Sequence, residues 1–289
     1  MGKNHSEKPE NGVIMDNTEK RELTLVEIQN IELSLLLNFH NICKSQKLRY
    51  SLGGGSLLGA VRHAGFIPWD DDIDVMMPRP DYERFIHYCK QNPVPFALIT
   101  YDTVDGYYGL FAKLSDLSTV ITDKVMKLEY SIGINIDVFP VDGLGDSEKE
   151  AVKIFRKTEI DREILNAVIW KTYFRSKTHS IIVEPVRLGL FFISRFVDPK
   201  KLLRKIDRVN LSHSFEKSKY AGCVCGSYRT KEIMTKETFE HYTDVKFENE
   251  TLKAIANYDE YLQKHYGDYM QLPPEEKRVT HHTYQAFRK

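Results

Sequence analysis

Four carboxylates fall within five positions at Asp70, Asp71, Asp72 and Asp74, downstream of a run that opens Gly53-Gly54-Gly55-Ser56. Like charges this close repel, so an extended segment carrying them is favourable only where a cation offsets the repulsion. Side chains two apart on a strand share a face. A strand beginning at Asp72 therefore projects Asp72 and Asp74 together and turns Ile73 and Val75 toward a core, which makes half of a divalent-metal site. A third carboxylate is expected from a neighbouring strand, because magnesium takes few protein carboxylates and completes its coordination with phosphate oxygens. Asp137 fits best: it lies in the apolar run Ile134-Asn135-Ile136-Asp137-Val138-Phe139, where an unpaired acid would be costly. Asp142, read as an exposed turn residue, is its weaker rival.

Acidic runs are more often solvated turns than sites. Here Trp69 on one side and Met76 and Met77 on the other embed the acids in apolar surroundings. A calcium loop is the other alternative, since Asp70, Asp72 and Asp74 match its first three ligand positions. It fails further on, where Val75 replaces the turn glycine and Asp81 the bidentate glutamate. Glycine-rich turns ahead of helices offer backbone amides to phosphate. Gly54, Gly55 and the Ser56 hydroxyl are accordingly read as donor-phosphate ligands. Arg62 is expected either to add a charge-assisted bond to that phosphate or to pair with the acids. Lys113, inside an apolar strand, is a further phosphate candidate; Lys277, Arg278 and His281 are candidates for phosphate or acceptor. His63 and His282 are read as surface or structural.

The elements that must position these residues follow from periodicity. Thr24 and Glu27 form a capping box ahead of Ile28, Ile31, Leu35, Phe39 and Ile42, which predicts a helix. A short strand over 50–52 runs into the glycines, which are expected to break regular structure, and a helix follows over 56–63. A strand over 72–77, a helix from Pro80, and short strands over 96–101, 110–114, 119–122 and 134–139 make the first half α/β with a mixed sheet. Helices are expected over 147–177, 181–196 and 198–218, a strand over 220–225, a helix over 257–265, and a charged tail. The chain thus divides into a disordered leader (1–22), a catalytic core (23–145), a helical region (146–218) and a C-terminal part (219–289) that packs back and closes the site. The apolar stretch 186–197 reads first as a buried helix; with Arg187 and Arg195 it also suits peripheral contact with a membrane interface.

Bulk properties narrow the partners. The chain has 289 residues, and its 41 basic and 41 acidic residues cancel. No overall positive field is available for a nucleic-acid backbone, so no nucleic-acid partner is expected. Four scattered cysteines make no disulfide framework, and the N-terminus has no apolar signal segment. A cytoplasmic protein is expected, with peripheral contact at the inner face of the membrane as a further option.

The ordered string Leu57-Leu58-Gly59-Ala60-Val61-Arg62-His63, then Gly65-Phe66-Ile67-Pro68-Trp69-Asp70-Asp71-Asp72-Ile73-Asp74, resembles the hallmark of the LicD family of phosphocholine and phosphopolyol transferases, which includes fukutin and fukutin-related protein. Ile136-Asp137-Val138-Phe139-Pro140-Val141-Asp142 is similar to that family's second acidic motif, and Tyr266-Gly267-Asp268-Tyr269-Met270 with Pro273, Pro274, Glu275, Glu276, Lys277, Arg278 and His281 to its C-terminal signature. The resemblance implies a nucleotidyltransferase-like core and a Mg2+ ion, with Mn2+ as substitute, held by Asp72, Asp74 and Asp137. It also implies a CDP-linked alcohol donor and a glycan or lipid-linked glycan acceptor. Transfer of phosphocholine from CDP-choline to a sugar hydroxyl of a lipopolysaccharide, teichoic acid or capsule is expected. The alternatives are transfer of ribitol or glycerol phosphate, nucleotidyl transfer, and non-catalytic glycan binding. The cysteine zinc site of fukutin-related protein has no counterpart here, so no structural zinc is expected.

Overall fold

The computed structural model describes residues 21–175, 180–280 and 284–289. Most of the expected leader, and His281 and His282, lie outside the described residues. Helix α1 (Leu25–Gln46) starts where its capping box requires: Glu27 N–H donates to Thr24 Oγ1 at 3.3 Å and Thr24 N–H donates to Glu27 Oε2 at 2.9 Å. It ends as Lys47 turns into the left-handed region at φ 52°.

The strands of the core are β1 (Ser51–Leu52), β2 (Asp74–Pro78), β3 (Ala97–Ile99), β4 (Ala112–Ser115), β5 (Thr119–Asp123) and β6 (Asn135–Gly143), with α2 (Gly54–His63) and α3 (Arg79–Gln91) between them. The sheet runs β1-β2-β6-β4-β3; β2 and β6 are parallel and the other neighbours antiparallel. This is the mixed sheet of an α/β protein. Ile73 and Val75 are buried as alternation predicts, and with Ile136 and Val138 they seat the acid-bearing strands in the core.

Two local expectations change. The second strand begins at Asp74, not Asp72, and the glycines do not interrupt the chain: Gly53 caps α2 and Gly54 opens it. The reason is close packing, since a Cβ on Gly54 would stand 2.8 Å from Asp74 Oδ2 and one on Gly55 2.8 Å from Asp70 Oδ2.

The second half carries α4 (Glu148–Val168), α5 (Glu184–Ser194) and α6 (Pro199–Asn210). Pro199 follows an Asp198 cap that accepts from Lys200 and Lys201 N–H. The expected burial of 186–197 does not hold: Val186, Phe192 and Phe196 are 63%, 57% and 89% exposed, and Ser194 is the buried residue of α5. This helix packs on one side against α4 and the Trp170 turn, where Arg195 donates to the Ala167 and Trp170 carbonyls, and among the described residues no further layer covers its apolar face.

Strands β7 (Tyr220–Gly222) and β8 (Met234–Thr235) extend the sheet from the far end of β6. A hairpin of β9 (Tyr242–Phe247) and β10 (Glu250–Ile255) joins the edge at β1, where Ile255 N–H donates to Ser51 Oγ. Helix α7 (Tyr258–Tyr266) follows, and the tail forms β11 (Tyr284–Arg288), antiparallel to β5, instead of a solvated charged end.

Candidate functional site

Parallel pairing of β2 with β6 places Asp74 beside Asp137, and antiparallel pairing of β6 with β4 places Asp137 beside Lys113. The three residues form one row across three strands. Lys113 Nζ lies 2.5 Å from Asp137 Oδ1 and 3.0 Å from Asn135 Oδ1. Asp74 is packed against the start of α2, and its N–H donates to Ser56 Oγ at 2.8 Å. Ser56, read as a phosphate ligand, is in this structure a brace between helix and acidic strand. Burial, then the neighbouring Asp72 and Asp137 carboxylates, push the Asp74 carboxyl well above the usual carboxylate range. Lys113 offsets part of that crowding, and the remainder fits a site completed by a cation.

Among the described residues no group of three or more His, Cys, Asp or Glu side chains stands ready to hold a metal ion. One or two carboxylates plus phosphate oxygens are what magnesium ordinarily requires, and Asp72 and Asp74 supply that number. Asp72, Asp74 and Asp137 do not stand as such a group of three, and Lys113 pairs with Asp137 in this structure.

Two cavities meet at these acids. The larger, about 670 Å³, is lined by Gly54, Gly55, Arg62, Trp69, Asp74 and Lys277, together with residues of the α7 end and the following loop. The smaller, about 350 Å³, holds Lys113 and Asp137 and is walled by aromatic rings. Asp72 lines both.

The remaining predicted residues divide. Arg62 does not pair with the acids; its Nη1 donates to the Tyr269 carbonyl at 2.8 Å and the Gln271 carbonyl at 3.4 Å, fastening the C-terminal loop to α2. Arg278 donates to the Pro273 carbonyl and sits 5.7 Å from the Trp69 ring centroid, holding the same loop. Lys277 reaches the larger cavity, whereas His281 lies outside the described residues. Asp142 is no exposed turn residue. It is buried and bidentate with Arg79, Oδ1 to Nε at 2.6 Å and Oδ2 to Nη2 at 3.1 Å.

Sequence reasoning missed several contributors. Glu32 of α1 is buried with Oε2 lacking a hydrogen-bond partner, and burial followed by Asp72 pushes its carboxyl well up. Tyr228 and Tyr266 line the larger cavity and Tyr107, Tyr130 and Tyr284 the smaller. The Glu32 signal was available as a lone acid on the apolar face of a helix; the tyrosines come from segments far apart in the chain, Tyr266 from the end of α7 and Tyr284 from the start of β11, and share no spacing.

A mixed α/β core with paired acidic strands beside a glycine-opened helix defines the class. Residues 47–142 match the family model described as LicD/FKTN/FKRP, nucleotidyltransferase domain. The lipopolysaccharide cholinephosphotransferase LicD of Haemophilus influenzae is 33% identical over 272 residues, covering 92% of this chain and 99% of that protein. Uncharacterized proteins of Rickettsia typhi and Rickettsia prowazekii are 35% and 40% identical over 74 and 76 residues, covering 22% and 29% of their own lengths. The chain belongs to the LicD family and is a transferase of phosphate-containing groups.

Proposed function

We propose that this chain transfers phosphocholine from CDP-choline to a sugar hydroxyl of a surface glycan. The observation that carries this reading is the near full-length likeness to a lipopolysaccharide cholinephosphotransferase. Asp137, with Lys113 at its side, accepts the proton of the attacking hydroxyl. The sugar oxygen bonds to the choline-bearing phosphorus as the bond to the bridging diphosphate oxygen breaks, and cytidine monophosphate leaves. Lys113 steadies negative charge on the transferred phosphate, while Arg62, Lys277, Gly54 and Gly55 line the larger cavity, which takes the nucleotide half. Magnesium, or manganese in its place, would be held by Asp72 and Asp74 with Asp137 adjacent, and supplies neutralisation of diphosphate charge.

The test is release of cytidine monophosphate by the purified protein with Mg2+ and a lipopolysaccharide acceptor, comparing CDP-choline, CDP-ribitol and CDP-glycerol. Acceptor-dependent release from CDP-choline is expected. Release from a polyol donor alone would reassign the donor, and release from none would remove the reading.

We also propose that the protein works at the inner face of a membrane, where a lipid-linked acceptor is carried. No helix among the described residues is long and apolar enough to cross a membrane. The exposed apolar face of α5 is followed by α6, whose Lys200, Lys201, Arg204 and Lys205 suit anionic headgroups. Sedimentation with vesicles containing anionic lipid should carry the wild-type protein down and leave a Phe192→Ser, Phe196→Ser variant in solution; equal sedimentation of both would discard the proposal.

A further inference from the structure

We infer that the smaller cavity is the seat of the trimethylammonium head of the transferred group and sets donor specificity. The inference rests on the transferase reading above and goes beyond it by naming the residues that distinguish choline from other alcohols. Tyr107, Phe111, Tyr130 and Tyr284 line the cavity together, and Tyr107 packs edge-on against Phe111 and Tyr130 with centroids 6.4 and 5.6 Å away. Aromatic faces attract a quaternary ammonium through their quadrupole, and its methyl groups gain contact area on the same rings.

The hydrogen-bonding state of the walls sharpens the assignment. Tyr107 OH donates to the Phe111 carbonyl at 2.9 Å, Tyr108 OH to Glu129 Oε2 at 3.4 Å, and Tyr284 OH to the Asp71 carbonyl at 3.2 Å. Asp123 Oδ1 accepts from Val125 and Met126 N–H, and Asn135 donates to the Gly133 carbonyl while accepting from Lys113. Polar atoms engaged in this way have little to offer a ligand that must itself make hydrogen bonds. A polyol would find acceptors at the carboxylates alone and would leave its other hydroxyl contacts with water unreplaced, which is costly. Trimethylammonium has no N–H to satisfy. The carboxylates of Asp71 and Asp123 supply compensating negative charge, and Lys113 stands beside Asp137 where the phosphate of the same group would lie.

Saturation-transfer NMR on the choline methyl protons tests this directly. The wild-type protein should give a signal that tetramethylammonium displaces and ribitol does not, with nuclear Overhauser contacts from the methyls to tyrosine ring protons. Tyr130→Leu and Phe111→Leu should each weaken choline binding and raise KM for CDP-choline about tenfold, with inhibition by cytidine monophosphate unchanged. No choline signal from the wild-type protein, displacement by ribitol, or equal loss of cytidine monophosphate affinity in the variants would overturn the inference. CDP-choline turnover with KM unmoved by either substitution would overturn it while leaving the transferase reading intact. Choline binding without turnover would do the reverse. Should either variant fail to fold, the wild-type competition and Overhauser contacts decide alone.

Discussion

Gly54 lies so close to Asp74 that a methyl group on its Cα would stand 2.8 Å from the carboxylate oxygen Oδ2. The same glycine sits at φ 46°, a conformation costly for residues with a side chain. Helix start and acidic strand are therefore fitted to one another through an absent atom.

Gly54→Ala should cost about 1–3 kcal/mol in stability and, by displacing Asp74, lower turnover by about a hundredfold. Gly189→Ala in α5 is the control. A Cβ there meets nothing within 4 Å, so the substitution should stabilise by up to about 1 kcal/mol. Urea unfolding and steady-state rates on both variants check the contrast.

Asp74→Asn and Asp137→Asn should each reduce turnover by about 10²–10⁴-fold with the fold retained. Chelation by EDTA should stop transfer, and added Mg2+ should restore it in the wild-type protein. Turnover that survives chelation would exclude the metal proposed for these acids.

Asp142→Ala should unfold the protein more readily by about 1–3 kcal/mol, because Arg79 loses its buried bidentate partner and keeps only Glu83 at 3.2 Å and Asp207 at 3.8 Å. Exchanging both residues for apolar ones of similar size should cost much less. Denaturant curves separate this structural role from catalysis, since the surviving folded fraction of Asp142→Ala should keep its rate per active molecule.

His40 gives a pH-dependent prediction. Burial, then Lys44, lower its imidazole below the ordinary histidine value, and Nδ1 is 2.6 Å from Tyr50 OH. In the window between its own lowered value and about 6.5, the unfolded chain binds a proton that the folded chain refuses. Its stabilising contribution is therefore complete above that window and declines as pH falls through it. The difference in unfolding free energy between wild type and His40→Gln should follow this course, and an imidazole NMR titration should show a midpoint below the ordinary value.

Much of the fold was legible where local chemistry and tertiary need agree. The Thr24–Glu27 box, the Asp198 cap and the alternation of Ile73 and Val75 act within a few residues of themselves, and each is found in place. The β9–β10 hairpin was not legible, because its turn uses Glu248 at φ 55° where glycine or asparagine would announce it. Strand β11 was missed because its partner β5 is more than 150 positions earlier, so no local pattern marks the pairing. The acids of the site were marked by their density. Their consequence was less visible: Asp142 resembles Asp137 in sequence setting, yet only a buried Arg79 brought from α3 makes it structural. The apolar stretch of α5 misled because composition records hydrophobicity and not whether a second layer exists to cover it.

The loop over residues 269–278 is secured across the mouth of the larger cavity by Arg62 on backbone carbonyls and by Arg278 against Trp69. The anchor at the near end is deeper, since the Tyr269 ring is itself buried in the core. That wall of the cavity is therefore made from the same packing that holds the molecule together, so a change that loosens the core at Tyr269 reshapes the entrance as well.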